Sequence, residues 1–361
     1  ALQSLPSEVG LLSSLELLRV PMNSLWGLPP EISNAHNLAW LALSANPLVS
    51  RVKPKLAAPE IATKRLSLSS EGANLADPEF GGAANDGVVP ALLDAGTEAE
   101  TKVAVKYFRS GLGPDGDPED EVLIGAALVR HASATDHPAP VKQPEPGELG
   151  VCEQLCEQFG LARWPRLSTV IKLVEDAAPL AKKPIDTVRI LRGRFETEQV
   201  PVAFLLGVAA DVSSGLAFMH SLGIAHGDVY AHNLLVRKDH ESPIEEPAGK
   251  GGDGPVWAKL FDFGASFFYP AELGEMVEAV EVRALGLLLR DMADFLLVSG
   301  QGDEPSPEKA EAAKAARHLG EIANACALKK PPERPKISAV AHALRKLRDE
   351  GSDAAAKALP V

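Results

Sequence analysis

Three fragments, Val103-Ala-Val-Lys106, His226-Gly-Asp-Val-Tyr-Ala-His-Asn233 and Asp262-Phe-Gly264, follow one another along this 361-residue chain. They confine what it can fold into, because their polar groups act together only if the fold gathers three distant places. The set comprises an ammonium, a carboxylate five residues ahead of a carboxamide, and a second carboxylate followed by an aromatic residue and a glycine. Phosphoryl transfer from a magnesium-bound nucleotide needs those groups, since its transition state is stabilised by positioning and charge. The surroundings agree. Lys259-Leu-Phe261 reads as a short buried strand ending at Asp262, and apolar residues from Leu205 to Leu222 keep helical spacing, which predicts a helix delivering His226 to its loop.

On these residues the chain resembles the eukaryotic-type protein kinases over about residues 78–348. The resemblance implies an α+β fold, a bilobal protein-kinase-like domain with its N-lobe at about 78–174 and its C-lobe at about 175–348. It also implies that Lys106 orients the phosphates of ATP, that Asn233 and Asp262 hold Mg2+, and that Asp228 is the catalytic base. Gly82-Ala-Ala-Asn-Asp-Gly87 with Val89 fits the glycine-rich loop over the nucleotide, and Gly82, Gly87, Val89, Ala104 and Lys106 are expected around it. Ala84 stands where the second glycine belongs, and Asp86 adds a charge of the wrong sign for phosphate. The ion-pair partner of Lys106 is expected at Glu121, fifteen residues on, with Glu119 as the alternative. The same acidic cluster also suits a helix N-terminus. Gly125, four residues after Glu121, replaces the bulky apolar residue expected there.

The catalytic loop departs from the common form. Gly227 replaces the arginine that binds a phosphorylated activation loop, so activation by such phosphorylation is not expected. Tyr230 replaces the lysine that touches the γ-phosphate in serine/threonine kinases. His226 is expected to pack against Phe263 rather than to move protons. Between Gly264 and Glu281-Val-Arg-Ala-Leu-Gly286, the expected start of a large buried helix, there is no Ala-Pro-Glu, so the activation segment is atypically short. Glu333-Arg334-Pro335 resembles the closing subdomain, with Arg334 a structural residue whose partner the sequence leaves open.

The N-terminus has a period of its own. Leu15, Leu18, Val20, Asn23 and Leu25 recur as Leu38, Leu41, Leu43, Asn46 and Leu48, and Leu5-Pro6 and Val9 recur as Leu28-Pro29 and Ile32, always 23 residues on. That is a leucine-rich repeat, in which apolar residues are buried only by neighbouring turns and the asparagine bonds backbone along the stack. Residues 1–50 are thus read as a partial leucine-rich-repeat solenoid, cut from a longer array, whose concave face would receive a protein ligand. Residues 51–77 are read as a linker and 349–361 as a tail. Residues 138–150 and 238–255 are read as surface insertions, and 171–174 as the crossing between lobes.

A net charge of −13 argues against nucleic acid or anionic membrane as the main partner, and 45% hydrophobic residues suffice for the cores. Three cysteines make no disulfide framework, and Cys152 and Cys156 are read as a helix face rather than a metal pair. The stretch Val202 to Met219 is nearly long enough to span a bilayer, but Asp211 interrupts it and the kinase reading buries it. With no membrane span and no signal peptide in view, a cytoplasmic location is expected. The expected activity is an ATP- and Mg2+-dependent protein kinase acting on a serine or threonine hydroxyl of a protein substrate. The alternatives are a pseudokinase scaffold and a small-molecule phosphotransferase of the aminoglycoside or choline kinase type, whose loops share His-Gly-Asp and lack Ala-Pro-Glu.

Overall fold

The 23-residue offset reappears as strand pairing. Strands β1 (Leu17–Arg19) and β2 (Trp40–Ala42) run parallel with Leu17 opposite Trp40, Leu18 opposite Leu41 and Arg19 opposite Ala42. Side chains alternate along a strand, so Leu18 and Leu41 share the inner face while Arg19 and Trp40 share the outer one. The computed structural model describes residues 1–55, 59–68, 88–108, 116–130, 152–163, 167–181, 200–245, 254–299 and 306–350. Asn46 knits the two turns: its side-chain nitrogen donates to the carbonyls of Val20 (2.8 Å) and Leu43 (3.0 Å), and its oxygen accepts from the Leu25 N–H (3.1 Å). Two turns cannot bury their leucines alone. Here Leu25, Leu38, Leu41, Leu43 and Leu48 complete one core with Ala225, Phe267, Tyr269, Val277 and Val280 from the C-terminal half. A one-turn helix α1 (Pro47–Ser50) closes this segment.

Next comes a five-stranded antiparallel sheet, in spatial order β3 (Leu66–Leu68), β4 (Val88–Leu93), β5 (Thr101–Tyr107), β7 (Ser168–Lys172) and β6 (Gln158–Ala162). Leu66–Leu68 lies in the stretch read as a linker; its pairing with β4 makes it part of the sheet. One face of the sheet buries Val89, Val103, Val105 and Val170, and helix α2 (Pro118–Arg130) lies beside β6.

The remainder is mainly helical, giving a mixed α+β chain. Helix α3 (Val202–Ser221) is long and apolar enough to cross a membrane by composition, but its surface is mostly covered by protein, as a core helix requires. Its charged residue, Asp211, accepts backbone N–H bonds from Trp257 (2.6 Å) and Ala258 (3.1 Å) and so anchors the strand that leads to Asp262. Burial pushes the Asp211 carboxyl up to about 7, against the opposing pull of those two N–H groups.

A small sheet follows in the order β11 (Ala258–Leu260), β10 (Leu234–Arg237), β8 (Ala177–Pro179), and β12 (Phe267–Phe268) pairs with β9 (Ile224–Ala225). Helices α4 (Gly274–Ser299), α5 (Pro307–Cys326) and α6 (Ile337–Glu350) complete the chain. The buried helix expected from Glu281 begins earlier, at Gly274, so Glu281 lies inside it. Cys152 and Cys156 do not share a helix face: they flank a turn, and burial pushes both thiols up to about 12.

Candidate active site

Strand β5 places Lys106 and helix α2 places Glu121 so that Lys106 Nζ lies 3.2 Å from Glu121 Oε2, and the same nitrogen lies 2.8 Å from Asp262 Oδ1. Burial disfavours the ammonium, yet the two carboxylates hold the Lys106 pKa above the usual lysine range. Asp262 is affected in the opposite sense. Burial opposes its ionisation, but the Lys106 charge and hydrogen bond hold its carboxyl down at about 2. Its backbone sits in the left-handed region (φ 62°), which turns the carboxylate back toward the Gly264 N–H at 3.4 Å. A side chain at Gly264 would lie 3.2 Å from Asp262 Oδ1 and 3.5 Å from Glu121 Oε2, so glycine leaves room for the cluster.

Glu119, the alternative partner of Lys106, instead meets Arg163 at the surface, 2.7 Å away. The place that Gly125 leaves open is taken by Gln158 of β6, whose side chain lies where a Cβ on residue 125 would go. The sequence alone carried no signal for that substitution, because the partner comes from another element.

Register corrects the expectation for Val89. Val88 stands opposite Lys106 in the β4–β5 ladder and Pro90 opposite Ala104, so Val88 and Ala104 share the face of Lys106. Val89, opposite Val105, points to the other face and is buried in the sheet core, whereas Val88 is exposed. A one-residue step reverses the face, so Val89 cannot line a nucleotide site centred on Lys106 and Val88 can. Gly82 and Gly87 lie outside the described residues.

The catalytic-loop candidates converge on the same region. Asn233 donates its amide nitrogen to Asp228, to the carbonyl at 2.8 Å and to Oδ2 at 3.0 Å. Its own carbonyl accepts the Phe261 N–H at 3.1 Å, which sets Asn233 beside the residue preceding Asp262. With the amide nitrogen spent on Asp228, the amide oxygen is the atom left for a cation. Together with Asp262 this makes a hard, all-oxygen donor pair of the kind Mg2+ takes, and water and phosphate oxygens complete its shell in such sites. The residues present therefore fit Mg2+. His226 packs edge-on to Phe263, with ring centroids 5.7 Å apart, and its Nε2 lies 3.2 Å from the Phe261 carbonyl oxygen, a packing geometry.

Two residues that the sequence left without a role hold this loop. Glu281 of α4 accepts the backbone N–H groups of Gly227 (2.6 Å) and His226 (3.1 Å) and pairs with His220 Nε2 at 2.7 Å. Gly227 has φ +80°, and a Cβ there would overlap the Ala265 carbonyl oxygen and lie 3.1 Å from that of Leu41. The missing arginine thus has a steric reason: the N-terminal turn packs against this position. Gly227→Ala is expected to cost about 2–4 kcal/mol, combining left-handed strain with overpacking. Urea unfolding of the two proteins measures it, and a loss under 0.5 kcal/mol would contradict the close approach.

The outer face of β1 and β2 meets the chain's own loop. Trp40 stacks on Tyr230 (centroids 4.4 Å apart, planes within 7°) and donates Nε1–H to the Val229 carbonyl at 3.1 Å. Arg19 Nη2 lies 2.8 Å from Asp228 Oδ1. Ser44 Oγ donates to Asp120 of α2 at 3.1 Å, and Lys53 pairs with the same carboxylate. Arg334 also finds its partners here. It donates to the carbonyls of Leu328 (2.9 Å), Ala279 (2.7 Å) and His36 (2.7 Å), while Arg283 holds Asn37 Oδ1 at 2.7 Å.

No family model matches the chain. A stretch of 106 residues is 38% identical to the serine/threonine-protein kinase PkaB of Streptomyces coelicolor, and the match covers 28% of this chain and 23% of that protein's length. Part of the chain is therefore similar to a serine/threonine-protein kinase.

Proposed function

We propose that the chain is an ATP- and Mg2+-dependent protein kinase of bilobal form, acting on a serine or threonine hydroxyl, with a short leucine-rich-repeat segment at its N-terminus. The observation that carries this is the meeting of Lys106, Glu121 and Asp262 within 3.2 Å, supported by Asp228 and Asn233 joined on the adjoining loop. Lys106, held by Glu121, orients the α and β phosphates. Asn233 and Asp262 are the residues that would hold Mg2+, which when bound neutralises charge on the phosphates. Asp228 takes the proton of the acceptor hydroxyl as that oxygen bonds the γ-phosphorus and the bond to the β,γ-bridging oxygen breaks.

One observation favours a second reading, a non-catalytic scaffold: both carboxylate oxygens of Asp228 are engaged by protein groups, Arg19 and Asn233. Calorimetric titration with ATP, with and without Mg2+, separates the two. The kinase reading expects saturable Mg-dependent binding, weakened at least about tenfold by Lys106→Met and abolished in its metal dependence by Asp262→Ala. Equal affinity with and without Mg2+ in the unmodified chain, or unchanged Mg-ATP binding by Asp262→Ala, would sink it.

A further inference from the structure

Helix α2 opens on three successive carboxylates, and each goes to a different part of the chain. Glu119 meets Arg163, just beyond β6, at 2.7 Å. Asp120 accepts Ser44 Oγ at 3.1 Å and pairs with Lys53, and Glu121 faces Lys106 of β5 at 3.2 Å. Successive residues of an α-helix stand about 100° apart around its axis. The rotation of α2 that brings Glu121 to Lys106 therefore also fixes where Glu119 and Asp120 point, and a grip on either of them resists turning of the helix.

The two flanking grips are unequal. The Glu119 side chain is 51% exposed, and Arg163 divides itself between Glu119 and Glu60, so solvent screens that pair and it contributes little. The Asp120 side chain is only 10% exposed and Ser44 is buried. Both carboxylate oxygens of Asp120 are engaged, Oδ2 by Ser44 and Oδ1 by Lys53. Ser44 follows β2, and its carbonyl accepts the Met22 N–H at 2.9 Å, so it is built into the stack of turns. A Cβ at Gly116 would overlap the Ser44 side chain, which shows how closely the approach to α2 is pressed against those turns.

We propose that Asp120 is a positioning residue, through which the N-terminal turns hold α2 in the rotation that delivers Glu121 to Lys106. This rests on the kinase reading above and deepens it, since the turns become part of what assembles the nucleotide site. Without the grip Glu121 withdraws and Lys106 is left to Asp262. The ammonium that orients the phosphates then turns to the carboxylate that would hold Mg2+. Misplacing such a group by about 1 Å costs about a hundredfold in rate. Because both oxygens of Asp120 are committed to Ser44 and Lys53, its effect passes through Glu121.

The test is a double-mutant cycle in the full chain between Asp120→Ala and Glu121→Gln. Phosphoryl transfer from γ-labelled ATP to casein and to the chain itself gives kcat, calorimetry gives Mg-ATP affinity, and thermal midpoints set assay temperatures at which each variant is folded. Each single variant is expected to lower kcat about thirtyfold to a hundredfold, and Asp120→Ala in the Glu121→Gln background should cost less than about twofold more. In the nucleotide-free chain, Asp120→Ala should also speed amide hydrogen exchange over residues 118–125. The pair Ser44→Ala with Lys53→Met, which leaves α2 untouched, should reproduce the loss, whereas Arg163→Ala should keep kcat within about twofold. Where Asp120→Ala does not fold, Asp120→Asn carries the same cycle. Losses that multiply in the double variant would overturn the proposal, because Asp120 would then act independently of Glu121. An unchanged kcat in Asp120→Ala, with Glu121→Gln impaired, would overturn it while leaving the kinase reading intact. If the unmodified chain neither binds Mg-ATP nor transfers phosphate, the kinase reading itself fails and takes this proposal with it.

Discussion

Asp228→Asn should lower phosphoryl transfer by about a thousandfold, within the range a positioned general base supplies, while Mg-ATP affinity changes less than about threefold. The substitution keeps the size of the side chain, and one amide oxygen can still accept from Asn233 or from Arg19, the two groups that hold the carboxylate. What it removes is the capacity to take up a proton. On the proposed reading nucleotide binding rests on Lys106 and Asp262, paired on the other side of the cluster, so it should survive. Single-turnover transfer from γ-labelled ATP, alongside calorimetric binding, separates the two effects. Transfer at the unmodified rate would remove Asp228 from the role of base, and loss of nucleotide binding with the rate would show that the residue only holds the loop together.

Glu281→Ala is expected to destabilise the chain by about 3–5 kcal/mol, the cost of removing one partner from a buried, fully engaged charge. Three donors lose their acceptor at once: His220 Nε2 and the backbone N–H groups of His226 and Gly227. Glu281→Gln, which keeps an acceptor oxygen for part of that set, should lose about 1–2 kcal/mol. The effect has a defined pH dependence. Burial alone would raise the Glu281 carboxyl, but the His220 hydrogen bond, the charges of His220 and His226 and the Gly227 N–H together hold it below the ordinary glutamate range. The unfolded chain therefore takes up this proton before the folded one does. The stabilisation is complete above the unfolded value of about 4.3 and disappears as the pH falls through the lower folded value. Urea titrations at pH 7 and near pH 3 measure this. A difference between the native chain and Glu281→Gln that stays constant across that range would refute the assignment.

Because Glu281 grips the loop by its backbone at Gly227, and Gly227 also admits the Leu41 carbonyl, the two residues act on one joint. A change in the seating of the N-terminal turn would reach Asp228 by two routes, through Arg19 directly and through Gly227. The same turn touches the start of α2 at Asp120, next to Glu121. The N-terminal turns therefore contact both the loop that carries Asp228 and the helix that carries Glu121.

How much of this was legible in the chain follows from the range of each signal. The 23-residue period predicted which residues pair in β1 and β2 because a repeat states its own register: Leu18 and Leu41 occupy equivalent positions and must stack. The helix over Val202–Ser221 was visible in its apolar spacing, with Asp211 as its charged interruption, whereas the Trp257 and Ala258 N–H groups that this carboxylate accepts come from a distant strand and had no local signal. Glu121 was reachable from Lys106 by spacing, whereas the choice against Glu119 needed the helix to be seated on its sheet. Val89 was misjudged because a motif counts residues along the chain, while the face of a strand is decided by which residue stands opposite which.

The local chemistry is written in the order of the residues: the ammonium, carboxylates and carboxamide, and the periodicity that makes one end of the chain a stack of turns. These are properties of neighbouring residues, and short-range geometry is enough to read them. That the stack closes its core on β9, β12 and α4 and turns Arg19 and Trp40 onto the loop from His226 to Asn233 follows from long-range packing alone. Such contacts join residues separated by about two hundred positions. They are selected by the burial of leucines that two turns cannot cover alone and by which carbonyls Arg283 and Arg334 can reach, quantities that no local pattern contains.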